Sequence, residues 1–200
     1  MKTADKIRER ALALFAANGY AGTSVDTIAK EAGIRKSTIY SHVESKEALF
    51  FSLFEEALAW DLAYFRDLLA EHAADSAEQK LYRMFRHDYD IYRAENDRAN
   101  ISMKFVHTAM LFPPPGARVR MEDLFAAYEA QFSAMMLEVA AQGVAEGTME
   151  DQDRETLLAW YYCVVDGLFL GSFYYGRGEY QKRFDHIWSM FWDSIKRKQG

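Results

Sequence analysis

The sequence predicts an all-α protein with about nine helices. Apolar residues recur at three- and four-residue spacing through most of the 200 residues, which is the period of a helix that buries one face. The alternating pattern of a strand does not occur. The three prolines are consecutive, at Pro113–Pro115, and are followed by Gly116. This segment cannot be part of a helix. The pattern favours a helical bundle joined by short turns.

Local signals predict where each helix begins and ends. The first helix covers residues 3–18 and ends at Asn18-Gly19. Thr23 and Ser24 offer hydroxyl caps for a second helix of about two turns, which stops at Gly33, where a left-handed backbone favours glycine. The third helix runs from Arg35 to Val43. Later helices are predicted at residues 46–70, 77–95, 98–111, 117–143, 154–175 and 179–198.

The charge of the chain is divided unevenly between its two ends. Half of the residues are hydrophobic, which is enough for a sizeable core, and the net charge is −6. Residues 1–50 hold eight Lys/Arg and six Asp/Glu, whereas the rest holds sixteen and twenty-four, so the first part carries +2 and the remainder −8. A protein that contacts phosphate with one end fits this division, and one that coats nucleic acid with its whole surface does not.

Cysteine content and hydropathy indicate a reducing compartment. The single cysteine, Cys163, lies in an apolar run and excludes an internal disulfide framework. The first residues lack the apolar segment of a signal peptide, so we expect a cytoplasmic protein. The segment 156–176 is uncharged except for Asp166 near its middle, and we expect a buried helix there, with no membrane partner.

The second and third predicted helices have the pattern of a helix-turn-helix. Ile34, Ile39 and Val43 are available for the core of this unit, while the third helix leaves polar, basic and aromatic side chains outside. In a helix-turn-helix the second helix enters the major groove of DNA and presents its N-terminal side chains to base edges. Lys36 and Ser37 occupy that end. The pattern therefore predicts a DNA-binding gene regulator.

The first fifty residues also resemble a known family. An apolar helix is followed by NGY, a small residue and T/S, then by xxxIA, xxAG, polar residues, xxxY, xHV, xSKE and xLF. This order resembles the TetR family of transcriptional regulators. The resemblance implies a DNA-binding domain at residues 1–46 and a ligand-binding and dimerisation domain at residues 47–200.

Carried over by position, the resemblance implies which residues contact DNA. Base contacts would come from Lys36 and Ser37. Phosphate contacts would come from Ser24, Thr38, Tyr40, Ser41, His42 and Lys46.

Three residues depart from the family pattern. Ser37 replaces a usual glycine, and Val43 stands where an aromatic residue is common. Arg35 replaces a small capping residue and adds a long donor that can reach a guanine or a phosphate. These departures leave open an alternative, a helical ligand-binding or adaptor protein whose DNA-binding head is degenerate.

The last two helices predict a homodimer. Small and apolar residues share one stripe of the penultimate helix, and the last helix has a broad apolar face. Together these two faces present more apolar surface than a single chain of this size can bury in one layer of helices. The alternative is packing within one chain. The residues expected at the interface are Trp160, Val164, Gly167, Gly171, Ile187, Trp188, Phe191 and Ile195. A two-fold dimer would set two recognition helices about 34 to 36 Å apart or somewhat more, and would require a palindromic operator.

A ligand cavity is predicted in the body of the chain. Asp88 falls at the centre of an apolar helix face, where a carboxylate is costly unless something pairs with it, and Asp166 lies in an aromatic stripe. We expect a small lipophilic effector that is cationic or aromatic, although such stripes also occur in simple cores. The candidate residues are Trp60, Asp88, Tyr92, Tyr128, Phe132, Tyr162, Asp166 and Phe169.

The resemblance implies a repressor that is released from its operator by the effector, with the long helix that starts at Lys46 as the lever. Only a ligand that binds two states unequally can do this. The sequence contains no phosphate loop, nucleophile elbow or HExxH motif, and its five histidines are scattered. We therefore expect no catalysis, no metal and no cofactor.

Overall fold

The computed structural model describes residues 2–94 and 97–197, and these ranges contain nine α-helices. The all-α prediction is confirmed. Within the described ranges the only extended pairing is one isolated bridge between Met149 and Lys196. The helices are α1 (Thr3–Asn18), α2 (Val25–Ala32), α3 (Lys36–Ile39), α4 (Lys46–Glu71), α5 (Ala77–Arg93), α6 (Arg98–Leu111), α7 (Arg118–Ala145), α8 (Arg154–Tyr174) and α9 (Arg177–Ile195).

Most predicted boundaries agree with the structure within two residues, and α3 is the exception. It ends at Ile39, four residues earlier than predicted. The chain then tightens, because the His42 N–H bonds to the Ile39 carbonyl at 2.8 Å and the Ser41 N–H to the Thr38 carbonyl at 3.2 Å. These three-residue turns carry the backbone to Val43. The predicted ends of the fifth and last helices, at residues 95 and 198, lie outside the described residues.

The chain forms two compact units, and the first draws on residues 1–61 and 96–128. Its core contains the rings of Phe15 from α1, Phe50 from α4 and Phe105 from α6. The Phe50 centroid lies 5.2 Å from Phe15 and 5.0 Å from Phe105, in edge-to-face geometry that favours aromatic pairs. Helix α1 therefore shares a core with α6 and the beginning of α4. The domain boundary at residue 46 stays a prediction.

The second unit draws on residues 62–95 and 129–200. Phe85 of α5 lies in its core, with its ring centroid 5.0 Å from Tyr161 of α8 and 4.5 Å from Phe191 of α9. Tyr89 stacks on Tyr180 at 4.8 Å further along the same helices. Helices α5, α8 and α9 thus bury a continuous aromatic layer.

Two glycines shape the turns around α2. Gly33 has φ +68° and ψ 34°, a left-handed conformation, and its N–H bonds to the carbonyls of Ala29 and Lys30. The predicted stop at Gly33 is confirmed. A Cβ atom at Gly22 would overlap the backbone carbonyl oxygen of Asn18. The connection from α1 to α2 therefore requires glycine at that position.

Helix α8 is long and apolar enough to cross a membrane by length and composition alone. No other helix among the described residues meets these two criteria. Only 33% of its most apolar window is buried inside the chain. The prediction of a buried helix is therefore wrong for most of α8, because one side packs on the aromatic layer while Trp160, Leu170 and Tyr174 are 42%, 47% and 73% exposed. These side chains form an apolar surface.

Candidate functional site

The hydroxyls of Thr23 and Ser24 do different things at the start of α2. Ser24 is the N-cap, and its Oγ accepts a hydrogen bond from the Thr27 N–H at 3.0 Å. Thr23 is buried and donates to the carbonyls of Gly19 at 2.9 Å and Leu14 at 3.2 Å. Capping by Ser24 is confirmed. Thr23 instead fastens the end of α1 to the turn that leads into α2.

Helix α3 and the following turns present one polar face. Ile39 is 1% exposed and anchors the inner side. The outer side carries two rings, two long cations and several hydroxyls within eight residues, a set of groups suited to phosphates and base edges. Of the residues implied in DNA contact, Thr38 is half-buried, and those that are exposed are Ser24, Arg35, Lys36, Ser37, Tyr40, Ser41 and His42.

Lys36 forms an ion pair across the turn. Its Nζ lies 2.7 Å from Oδ2 of Asp26, which belongs to the first turn of α2. The hydrogen bond and the charge of Asp26 raise the pKa of Lys36 above its ordinary value. The ammonium therefore stays charged and has a defined position, although it is not buried.

Lys46 is held by backbone carbonyls of the turn between α1 and α2. Its Nζ donates to the carbonyls of Tyr20 and Thr23, at 2.9 Å each, and lies 3.9 Å from the centroid of the Tyr20 ring. Burial lowers the pKa of this lysine from its usual value. Two of its three donors are used internally, so one is left for the phosphate contact that the resemblance implies.

The second unit brings several predicted ligand residues together around Asp88. This carboxylate is 6% exposed and accepts a hydrogen bond from the Tyr161 hydroxyl at 2.6 Å. The phenol of Tyr161 is therefore a polar partner for a carboxylate in an apolar environment. The Tyr161 ring lies 4.7 Å from Phe132, and Phe132 lies 6.2 Å from Tyr162. We call Asp88, Tyr161, Phe132 and Tyr162 the Asp88 cluster.

Tyr92 and Phe169 form a neighbouring pair, with centroids 5.7 Å apart, and both are buried. Asp166 instead lies on the exposed side of α8, where partial loss of water raises its pKa. The aromatic stripe predicted around Asp166 is therefore divided between core and surface.

The remaining ligand candidates belong to the first unit. Trp60, a candidate for the predicted cavity, is 38% exposed and lines a surface groove of about 290 Å³ with Leu12 of α1 and Ser102 of α6. Tyr128 is buried and donates to Oδ2 of Asp61 at 2.6 Å.

Three of the predicted interface residues pack within the chain, so their expected place on the surface is wrong. Gly171, Phe191 and Ile195 are buried in the second unit. A Cβ at Gly171 would lie 3.3 Å from the Tyr180 ring, so this glycine lets α9 approach α8 of the same chain. Trp188 is half-buried, 5.1 Å from the Tyr82 ring.

The other four predicted interface residues line one shallow surface groove of about 480 Å³. A Cβ at Gly167 would meet nothing within 4 Å, so this glycine faces outward. Cys163 is exposed in the same groove. The lining residues are Ala159, Trp160, Cys163, Val164, Gly167 and Ile187.

Sequence reasoning missed two carboxylates. Asp61 is 1% exposed, and its signal was its place between Phe54, Leu58 and Phe65 on the buried stripe of α4. Asp26 was not singled out in the sequence, because its pairing with Lys36 depends on the geometry of the turn between α2 and α3. Within residues 2–94 and 97–197, no group of three His, Cys, Asp or Glu side chains is arranged to hold a metal ion.

Comparisons with known proteins agree with the helix-turn-helix. The model of bacterial regulatory proteins of the tetR family matches residues 7–53. The biofilm operon icaADBC HTH-type negative transcriptional regulator IcaR of Staphylococcus epidermidis is 34% identical over 88 residues, which cover 44% of this chain and 46% of that protein. The chain thus spans less than half the length of the curated relatives it matches.

Solved structures match along nearly the whole chain. The ketosteroid transcriptional regulator KstR2 of Mycobacterium tuberculosis is 21% identical, with a TM-score of 0.70 over 98% of this chain and 96% of that one. A protein from Saccharomonospora viridis in complex with choline is 22% identical, with a TM-score of 0.71 over 98% of each chain. At these identities the likeness shows the fold.

The fold and the polar face of α3 define a helical protein with an N-terminal helix-turn-helix. Residues 7–53 match the tetR family model, so the N-terminal part of the chain is similar to that of bacterial regulatory proteins of this family.

Proposed function

We propose that this protein is a ligand-responsive transcriptional repressor, which binds a palindromic operator as a homodimer and is released by a small effector. The observation that carries the proposal is the exposed face of α3 after the Gly33 turn, in a segment that matches the tetR family model. A regulator of this kind acts in the cytoplasm, where the operator is.

DNA binding is tested by selecting duplexes from a random pool with the full chain. We expect recovery of one palindrome with the wild type and a weaker base preference within each half-site with Lys36→Ala, because Lys36 stands at the N-terminal end of α3. Lys30→Ala is a matched control, since it removes an exposed cation from the far end of α2. An unenriched wild-type pool would instead support the adaptor alternative.

The homodimer is supported by the groove on α8 and α9. Its outward residues, with Leu170 and Met190 nearby at 47% and 68% exposed, form an apolar surface that a second copy would cover. Gly167→Leu should give monomers in sedimentation equilibrium with an unchanged helical spectrum, because the added side chain has room in the isolated chain. Ala126→Leu, at an exposed position of α7, should stay dimeric. A dimeric Gly167→Leu would refute this interface.

The effector site is proposed at the Asp88 cluster, and the ligand class is lipophilic or aromatic with a positive charge. A buried carboxylate among aromatic rings attracts a cation by charge and by the faces of the rings. The relative from Saccharomonospora viridis holds choline, a small cation, on the same fold.

A panel of cationic dyes and their neutral analogues tests this site by thermal shift. We expect a cationic dye to stabilise the wild type and to lose its effect with Asp88→Asn, which keeps the shape and removes the charge. Asp166→Asn is the control, since Asp166 is exposed on α8. Loss of stabilisation only with Asp166→Asn would move the site to that surface, and no stabilisation of any variant would remove the idea.

Release from the operator requires that the effector bind two states of the protein unequally. Helix α4 contributes residues to both units, which makes it the proposed path between effector and head. The stabilising dye should weaken binding to the recovered operator, and an Asp88→Asn operator complex should not respond. Equal operator affinity with and without a dye that binds would refute induction.

A further inference from the structure

The ion pair between Asp26 and Lys36 joins the first turns of two consecutive helices. Asp26 is the second residue of α2 and Lys36 the first of α3, and the left-handed turn at Gly33 brings these helix starts together. Their side chains are 68% and 50% exposed, so the pair lies on the surface of the head.

The electrostatics of the helix ends explain why the pair forms. A carboxylate is favourable at a helix N-terminus, where the backbone N–H groups give a partial positive charge, and an ammonium is unfavourable there. Asp26 thus occupies a favourable position in the first turn of α2. Its carboxylate lies 2.7 Å from the Lys36 Nζ and raises the pKa of Lys36.

An untethered lysine is a poor reader of sequence. Its charge sits on a flexible four-carbon stem and can contact any phosphate or base acceptor within reach. A lysine bound to Asp26 keeps two donors in a restricted volume, and the nearby negative charge repels phosphates. The ion pair therefore disfavours contacts of Lys36 with phosphates at varying positions. It leaves contacts with a base acceptor at one fixed position, such as O6 or N7 of guanine.

We propose that Asp26 is a positioning residue for base recognition, which restricts Lys36 to one base position in each half-site. This inference rests on the proposed function, since it requires that α3 bind in the major groove. It assigns to α2 a part in specificity without a base contact of its own.

The test compares Asp26→Asn with Glu31→Gln on the operator recovered from the random pool and on all of its single-base variants. Both substitutions remove one negative charge from α2, and Glu31 is exposed like Asp26. We expect both to raise affinity for every duplex. Only Asp26→Asn should reduce discrimination, by about fivefold at one base pair of each half-site, the low end for a specific base contact.

A double-mutant cycle separates positioning from a direct effect. In a Lys36→Met background, Asp26→Asn should cause no further loss of discrimination, because the residue through which it acts is gone. Asp26→Glu should keep most of the wild-type profile, since it preserves the carboxylate.

Two outcomes would overturn the inference. One is an Asp26→Asn profile parallel to that of Glu31→Gln, which would mean that Lys36 leaves Asp26 to bind phosphate. The other is a specificity change that persists in the Lys36→Met background. Failure of the wild type to select any duplex would instead remove the proposed DNA binding, so the two failures are distinguishable.

Discussion

His107 makes the stability of the protein sensitive to mild acid. Burial on α6 lowers the pKa of His107 from 6.5 to about 4, against an opposing effect of the Asp61 charge. Between these values the unfolded chain binds a proton at this imidazole and the folded chain does not, so the free energy of unfolding falls as the pH falls below about 6.5. The loss continues until the folded group is protonated near pH 4. From pH 7 to pH 5 it amounts to about 2 kcal/mol.

Urea unfolding at pH 7 and pH 5 measures this loss. His107→Gln cannot titrate at this position, whereas the carboxylates titrate in both proteins, so the difference between the two proteins isolates His107. The wild type should lose about 2 kcal/mol more than His107→Gln. His186→Gln, at an exposed position of α9, should behave like the wild type. Equal losses in wild type and His107→Gln would refute the assignment of a neutral, half-buried imidazole.

Three further substitutions test the turns of the head. Lys46→Met removes two charge-assisted hydrogen bonds and should lower the free energy of unfolding by about 2 kcal/mol. The dependence of the DNA-binding constant on salt concentration tests the phosphate contact. An unchanged slope of log K against log salt would mean that Lys46 contacts no phosphate, and a slope smaller in magnitude by about 0.9 would support the contact implied by the resemblance. Thr23→Val keeps the shape and removes the donor to Gly19 and Leu14, so thermal melts should show a loss of about 1 kcal/mol, and full stability would contradict the need for that bond. Gly22→Ala forces a Cβ against the Asn18 carbonyl and should lower the melting temperature, whereas an unchanged melt would show that the turn can relax.

The helices could be predicted because their signals are local. Apolar spacing, hydroxyl caps and turn glycines act within a few residues, and the bounds of α1 and α6 match the prediction in full. The end of α3 could not be predicted, because the same short polar sequence is compatible with a regular α-helix and with two adjacent turns closed by hydrogen bonds between residues three apart.

The candidate site was predictable in its residue types and less so in its pairings. The exposure of Lys36 follows from periodicity, but its contact with Asp26 depends on how the Gly33 turn sets two helices. Asp88 was recognised as needing a partner, yet Tyr161 stands 73 residues away, and nothing local distinguishes it from other aromatic residues of α8. Partners that are distant in the chain are decided by packing.

The two glycines of α8 explain why the predicted interface residues are divided between the core and the surface of the chain. Gly167 and Gly171 are four residues apart and therefore lie on adjacent turns of nearly the same face, which in sequence predicts one partner helix. The face is divided because α9 crosses α8 near Gly171, where Tyr180 needs the space of a side chain, and leaves Gly167 uncovered. An alanine at Gly171 should therefore destabilise the isolated chain, whereas one at Gly167 should not. If α8 instead packed both glycines against a second copy, the two substitutions would weaken the dimer alike, and sedimentation together with thermal melts would reveal it.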